Sequence, residues 1–594
     1  MRRRELLRQA ALLPFIPWLA TAPAAAPLRR VRPGDSGWPA PQAWEELRRS
    51  LQGELIAVQP LTAPCAAGEA AQGCVTLRTQ LSNPFFLGDQ PAGTQVSGWL
   101  DAWTPAPSVY AVRAAASADM AAAVNFARAH ALRLVIKGGG HSYQGTSCAP
   151  DSLLLWTRGL DRIELHESFV PAGCAGRVAP AAAVSVGAGC VWIDVYHKVT
   201  REAGRYVQGG GCTSVGVAGL IQSGGFGSFS KGFGSAAASL LEAEVVTADG
   251  HVRVVNAVQD APLFWALKGG GGGSWGVVTR LTLRTHELPA YFGGAVGTIE
   301  AASEADFQRL LARFVSFYAE RLANPHWGEQ VALQTQHRLK VSMVCQGLTD
   351  TQARAVWQPF FDWVRAAPQV FKEAEPLRAG AHDSRGWWDV EGNSSMKRDP
   401  RPGAPAGHGW WEGDQDQVGA WLHAYDSLWL PGALLAPAAQ PRLVDALLAA
   451  SRHYEVGLHF NKGLYGAPAP VLDAVRDTAT NPEVTAAFAL AIIAGGGGPA
   501  YPGLPGPAPD LAAARSAAAA IAAATAELRR VAPEAGSYVS ESNYFNPRWQ
   551  RDFFGTNYPQ LAAIKRRYDP QGVFFVHHGV GSEDWSADGF TRKI

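Results

Sequence analysis

The sequence has no long run of charge of one sign. Lys and Arg number 52 against 51 Asp and Glu, and charged residues make up 17% of the 594, below the ~25% of an average soluble domain. A chain without a basic stripe lacks the footprint that a phosphate backbone requires, so nucleic acid is not an expected partner. Cysteine is scarce too, seven residues in all, and none stands in a C-x-x-C pair. Structural zinc is disfavoured on that ground and no metal site is expected. Cys65 and Cys74 are spaced to close a small disulfide loop in an oxidising compartment, which leaves an odd cysteine for another task. No internal repeat is visible, and no apolar run is a convincing membrane span.

What is present begins with Arg2, Arg3 and Arg4, then Leu6 and Leu7, an apolar stretch over 10–20, and small residues through Ala26. This reads as a signal peptide over 1–26 of the twin-arginine kind, with cleavage after Ala24 or Ala26, so export to the periplasm or medium is expected. A twin-arginine route carries proteins already folded, which suits a cofactor inserted beforehand. The length exceeds one ordinary core and predicts two or more domains.

Glycine is abundant, at 64 residues, and is concentrated in three loops set between periodic segments. Met120, Ala123, Val124 and Ala127 recur at helical spacing, and 132–136 then reads as a buried strand running into Lys137-Gly138-Gly139-Gly140-His141-Ser142. Residues 152–156 read as a further strand, and Trp192, Val195, Tyr196 and Val199 as a helix leading into the glycine-rich stretch 209–234. Residues 243–247 and 252–255 form a strand pair about the turn Asp249-Gly250. A third run, 269–273, precedes strand-like 277–283. After about residue 288 the glycine loops stop and tryptophan-rich helices and strands follow. Residues 511–528 read as an Ala-rich helix, and Leu561, Ile564 and Tyr568 mark another that Asp569-Pro570 ends.

Gly271-Gly272-Gly273-Ser274-Trp275-Gly276 satisfies both the dinucleotide fingerprint G-x-G-x-x-G and, from Gly272, the nucleophile elbow G-x-S-x-G. Both need a helix immediately afterwards to supply its N-terminal N–H groups. A strand-like Val-Val-Thr-Arg-Leu-Thr-Leu follows instead, and both readings are rejected. Glycine also lets backbone approach a ligand closely, so that successive N–H groups converge on phosphate oxygens. Three such loops can wrap one nucleotide.

With His141 and Cys212 set among these loops, the chain resembles the FAD-linked oxidases of the vanillyl-alcohol oxidase superfamily, in their berberine-bridge-enzyme-like branch. The resemblance rests on Lys137 through Tyr143, on Gly211-Cys212-Thr213-Ser214-Val215-Gly216 with Gly219, on Gly224-Gly225-Phe226-Gly227, and on Phe264-Trp265 through Trp275-Gly276-Val277-Val278. A closing block, Trp549-Gln550, Phe553-Phe554-Gly555, Asn557-Tyr558, Lys565 and Tyr568-Asp569-Pro570, also matches. The FAD-binding set that this implies is Lys137, Gly138, Gly139, Gly140, His141, Ser142, Gly211, Cys212, Thr213, Ser214, Val215, Gly216, Gly219, Gly224, Phe226, Gly227 and Val278.

The resemblance implies an α+β fold: a PCMH-type FAD-binding domain over 40–288, a substrate domain over 289–530 with an antiparallel sheet covered by helices, and a C-terminal segment, 531–594, returning to the first domain. It further implies FAD bonded through its 8α-methyl carbon to His141 and through ring C6 to Cys212. Thr213 stands where the branch usually has proline. A valine at Val215 goes with reactivity toward molecular oxygen. The expected reaction is hydride transfer from an alcohol or sugar hydroxyl to the flavin, a base taking the hydroxyl proton, with hydrogen peroxide as co-product. Oxidative ring closure, or flavin binding without turnover, are the rival readings. No membrane partner is expected once the signal is removed.

The base is a choice. Relatives in this branch commonly have Tyr-x-Asn-Tyr where this chain reads Tyr538-Val-Ser-Glu541-Ser-Asn543-Tyr544, so Glu541 and Tyr544 are candidates. Strand alternation over 458–462 places His459 and Asn461 on one face, as further candidates. Glu412, Asp414 and Asp416 beside Trp410-Trp411 read as a solvated loop, with a pocket role as the alternative. The clusters Trp387-Trp388, Trp410-Trp411, Trp421 and Trp429 serve either as core or as a wall for a sugar or aromatic ring.

Overall fold

The computed structural model describes residues 28–593; the expected signal peptide lies outside the described residues. Three sheets organise the chain. The first joins β1 (Glu54–Ala57), β2 (Tyr110–Arg113), β3 (Arg133–Lys137) and β4 (Ser152–Trp156) in the order β1-β2-β4-β3, parallel across β2-β4 and β4-β3. The crossover is α1 (Ser117–Ala129), which buries Met120, Ala123, Val124 and Ala127 at helical spacing. Its first turn is fixed by Asp119, whose carboxylate accepts the N–H groups of Gln52 at 2.7 Å and Ala115 at 2.8 Å. The parallel ladder delivers the chain from Lys137 straight into the first glycine loop.

The second sheet is antiparallel, with β5 (Ile163–Phe169), β6 (Ala181–Gly187), β7 (Leu240–Val246), β8 (Val252–Asn256) and β9 (Val277–Arg284) in the order β5-β6-β9-β7-β8. The chain leaves the third glycine loop into β9, a strand, as the residues after Gly276 foretell. Two short helices, α2 (Val217–Gln222) and α3 (Ala261–Leu267), close the core beside it.

The third sheet runs in seven antiparallel strands: β10 (Tyr291–Ala301), β11 (Trp327–Gln334), β12 (Arg338–Gln346), β13 (Phe371–Asp383), β14 (Trp421–Pro431), β15 (Val456–His459) and β16 (Ala487–Gly497), ordered β13-β10-β12-β11-β15-β16-β14. Its two faces differ by strand alternation. Val331, Leu333, Leu339, Val341 and Met343 enter a core shared with α4 (Glu304–Phe317), α5 (Asp350–Arg365), α6 (Gln440–His453) and α7 (Leu511–Arg529). Gln330, Ala332, Lys340, Ser342 and Val344 point the other way, into a cavity. The Ala-rich α7 is long and apolar enough to cross a membrane by length and composition, yet Ala514, Ile521, Ala524 and Leu528 are buried and the helix packs on α6, β14 and β16.

The chain then returns to the first two sheets. Helices α8 (Trp549–Phe554) and α9 (Tyr558–Tyr568) place Trp549, Phe553, Phe554, Leu561 and Ile564 in one core with Trp192, Trp275 and Val278. Buried Lys565 ties the return: its Nζ donates to Ser274 O at 2.7 Å, Phe574 O at 2.9 Å and the Asp569 carboxylate at 2.7 Å. The architecture is the expected α+β arrangement. Cys65 and Cys74 are joined as a disulfide.

Candidate active site

The three glycine loops converge on one cavity of about 1320 Å³, larger than the ~300–1,000 Å³ of an ordinary small-molecule pocket. Residues 138–140, His141 and Ser142 line it from the first loop. Gly211, Cys212, Ser214, Val215, Gly216 and Gly219 line it from the second, residues 271–273 from the third, with Phe226 and Val278 beside them. The first two loops meet backbone to backbone. A Cβ on Gly139 would stand 3.0 Å from Gly216 N and from Ser214 O, and a Cβ on Gly216 would stand 2.9 Å from Gly139 N. No side chain fits there, and a continuous wall of main chain results.

His141 is held by a 3.0 Å contact between its Nε2 and Ser214 Oγ, and burial lowers its pKa to about 4. The ring is therefore a neutral imidazole, the nucleophilic form. Across the cavity, β15 delivers His459, and the turn beyond it delivers Asn461 and Lys462. The Lys462 ammonium donates to the Glu541 carboxylate. That pair is largely enclosed, at 11% and 20% side-chain exposure. Glu541 is placed by a tight turn: its N–H donates to Tyr538 O at 2.9 Å, and Ser427 of β14 donates to its carbonyl. Burial, then the Lys462 charge, hold the His459 pKa well below its ordinary value, so that ring is neutral too. Asn461 Oδ1 is buried without a protein partner.

Several expected site residues stand elsewhere. Lys137 lines the cavity only with its stem: its ammonium turns away to donate to the carbonyls of Gln90, of Pro91 at 3.1 Å and of Gly93 at 2.9 Å. It braces the loop rather than offering charge to a phosphate. Thr213 is buried behind the loop and donates to Gly409 O at 2.7 Å. Gly224 and Gly227 serve packing, since a Cβ would fall 2.9 Å from Thr480 Oγ1 at the first and 2.3 Å from Gly209 O at the second. Tyr544 is outside the cavity wall, its ring stacked on His577 at 3.8 Å.

Other residues join the site without a local sequence signal. Asp414, for which a solvated loop is the first reading from sequence and a pocket role the second, lines the cavity, and burial raises its pKa to about 6. Glu329 sits in the middle of β11 with φ of 61°, a conformation that costs a long side chain of order 1–3 kcal/mol and clusters at functional sites. It aims its carboxyl at Ser228, which donates to it, and burial raises its pKa. The tryptophan pairs split: Trp388 and Trp410 are core, whereas Trp387 and Trp411 line the cavity with ring centroids 5.6 Å apart.

Two family models match, one described as FAD binding domain over residues 109–256 and one as berberine and berberine like over 537–581. Among curated relatives, the VAO-type flavoprotein oxidase VAO615 of Thermothelomyces thermophilus is 28% identical over 634 residues, covering 99% of each chain. Among solved structures, the VAO-type flavoprotein MtVAO615 of Myceliophthora thermophila C1 superposes with a TM-score of 0.76 at 25% identity, over 94% of this chain and 99% of that one. The glucooligosaccharide oxidase of Acremonium strictum, described as carrying a 6-S-cysteinyl, 8α-N1-histidyl FAD, shares the fold with a TM-score of 0.61 at 18% identity, over 80% of this chain and 92% of that one. The main-chain wall built by the glycine loops is thus an FAD site, and the chain is an FAD-linked oxidoreductase that carries an FAD binding domain and a berberine-like segment and is similar along its length to VAO-type flavoprotein oxidases.

Proposed function

We propose that the protein is an exported oxidase that removes hydride from a hydroxyl of a neutral small molecule, a sugar or an alcohol, with FAD tied to His141 and Cys212 and electrons passing to molecular oxygen. The observation that carries this reading is the continuity of the cavity, which runs from the glycine loops past His141 and Cys212 to the Glu541–Lys462 pair. FAD, when bound, supplies the hydride acceptor and the centre that reduces oxygen to hydrogen peroxide.

The protein's own part is positioning and proton handling. The Glu541 carboxylate accepts the substrate hydroxyl proton, and Lys462, already bonded to it, holds the oxygen in place. Neutral His459 and the unpartnered Asn461 Oδ1 offer hydrogen bonds that orient the hydroxyl-bearing carbon. The wall also selects charge. Glu329, Asp414, Asp416, Glu455 and Glu541 line the substrate side against only Lys340 and Lys462, so an anion meets repulsion there while a neutral polyol does not. Trp387 and Trp411 offer faces for a ring to stack on. The likeness in fold to a glucooligosaccharide oxidase points the same way, and the Cys65–Cys74 disulfide accords with an oxidising compartment.

The test is direct. Holoenzyme denatured in acid is expected to keep its flavin, with FAD-bearing peptides containing residues 141 and 212. Anaerobic mixing with neutral oligosaccharides and simple alcohols is expected to bleach the flavin, and air to restore it with release of peroxide. Flavin released on denaturation would refute the covalent reading. A flavin that no such substrate bleaches would refute the oxidase reading.

A further inference from the structure

The residues on either side of Cys212 are both tied to one distant segment. Thr213 Oγ1 donates to Gly409 O at 2.7 Å, and Trp411 Nε1 donates to Gly211 O at 3.2 Å. Residues 409–411 form a short strand, paired with Met396–Arg398, and run directly into the turn Glu412–Gln417. The clamp therefore brings Asp414, the residue at the middle of that turn, onto the Cys212 thiol.

Three charged groups face that sulfur: Asp414, Glu329 and Lys462. Two of them are committed. The Glu329 carboxyl takes the Ser228 hydroxyl, and the Lys462 ammonium is bonded to Glu541. Asp414 Oδ2 is buried and has no partner. An unpaired buried carboxylate oxygen is costly, and here it is aimed into the cofactor cavity beside a thiol.

The thiol needs such a neighbour. Burial, then the adjacent carboxylates, raise the Cys212 pKa well above its ordinary value, so the thiol and not the nucleophilic thiolate is the resting form. Attachment to a flavin ring exchanges the S–H and the ring C6–H for one C–S bond. Two protons and two electrons leave, and molecular oxygen takes them as hydrogen peroxide. The sulfur proton must be accepted as the bond forms.

We propose that Asp414 is the base that accepts the Cys212 proton during flavin attachment, and that Thr213 and Trp411 are positioning residues that hold it there. The proposal rests on the reading that Cys212 carries flavin. It also gives Thr213 a purpose: proline, usual at this position in the branch, has no hydroxyl to donate to Gly409.

The test is mass analysis of peptides from holoenzyme expressed as wild type, Asp414→Asn, Asp414→Glu and Thr213→Val, with Glu412→Gln on the exposed side of the same turn as a control. In the wild type both the 141 and 212 peptides carry flavin. In Asp414→Asn the 212 peptide is recovered with a free thiol while the 141 link remains, and Asp414→Glu restores the second link. Thr213→Val shows partial loss, and Glu412→Gln shows none. Wild-type protein with a free thiol at 212 would remove the reading on which the proposal rests. Doubly linked Asp414→Asn protein would overturn the proposal alone. So would an Asp414→Asn chain that has lost the 141 link as well, or an Asp414→Glu chain that regains nothing, since both mark a structural defect.

Discussion

His459, Glu541 and Tyr544 differ as proton acceptors once their surroundings are known. Tyr544 does not line the cavity but stacks behind His577, which does, and burial raises its pKa, so it stands one ring back from the cavity and does not ionise readily. His459 reaches, but a ring whose pKa burial pushes far down is a weak base and serves better as a hydrogen-bond partner. Glu541 reaches and is held by two elements. Glu541→Gln is therefore expected to lower kcat by ~10²-fold or more, the usual share of a positioned general base, with flavin content unchanged. Tyr544→Phe is expected to leave kcat within about threefold, as befits a residue outside the chemistry. Steady-state kinetics with flavin absorbance as the concentration measure decides both. At this scale the sequence was legible where function lies in a local string, as with His141 and its glycines. It was silent where the residue is brought in from afar. Asp414 sits in an acidic, loop-like stretch that reads as solvent-facing because its partner, Cys212, lies some two hundred residues earlier. Glu329 stands in an ordinary strand, and its left-handed φ leaves no mark on the sequence.

Loops and strands carry the next level of constraint. The contact between Gly139 and Gly216 closes the two cofactor loops against each other without any side chain. Gly216→Ala puts a methyl group within 2.9 Å of a backbone nitrogen, which neither loop can yield to without parting from the other. The expected outcome is protein that folds but has lost most of its flavin, measured as the ratio of absorbance at 450 nm to that at 280 nm; full flavin content in that variant would show that the loops have slack. Gly219→Ala, where a Cβ has open space, is the matched control for packing, and is expected to retain its fold. Elements of the first half were readable because each has a bounded apolar run: the strands expected at 132–136, 152–156 and 243–247 appear as β3, β4 and β7 within a few residues. His459 shows the limit of periodicity. β15 ends at that residue, so Asn461 reaches the cavity from a turn rather than by strand alternation. Of the seven strands of the third sheet, only β15 was anticipated, because pairing across that sheet joins residues far apart in sequence and leaves no short-range pattern.

Across the whole molecule, buried histidine sets the response to acid. Burial lowers the His286 pKa to about 4, with help from Arg284 and Arg205, and that of His578 to about 3, with help from His577. Burial lowers His577 as well, and burial with Lys462 lowers His459. In the unfolded chain each titrates near ~6.5. As pH falls from about 6.5 to about 4, the unfolded chain binds protons that the folded chain refuses, and stability drops with pH. Four carboxyls raised by burial oppose this: Asp414, Asp426, Glu329 and Glu483. Asp414 and Asp426, both raised to about 6 by burial, take up protons in the folded state before they would unfolded, which adds stability as pH falls from about 6 to their ordinary ~3.8. The raised carboxyls take up protons over only the lower part of this window, whereas His286 and His578 refuse protons across all of it, and His459 and His577 add to the losing side. Surface carboxylates held low by arginine, such as Glu373 and Asp350, weigh in only below their unfolded values near 4 and do not enter this window. The net sign is loss. Calorimetric Tm of the holoenzyme is thus expected to fall between about pH 7 and about pH 4.5 by several degrees. His286→Gln is expected to flatten that fall, because its buried ring is remote from the flavin and the variant removes one proton site without touching the cofactor. A Tm that holds steady or rises toward pH 4.5 would mean that the raised carboxyls, and not the histidines, govern the acid limb.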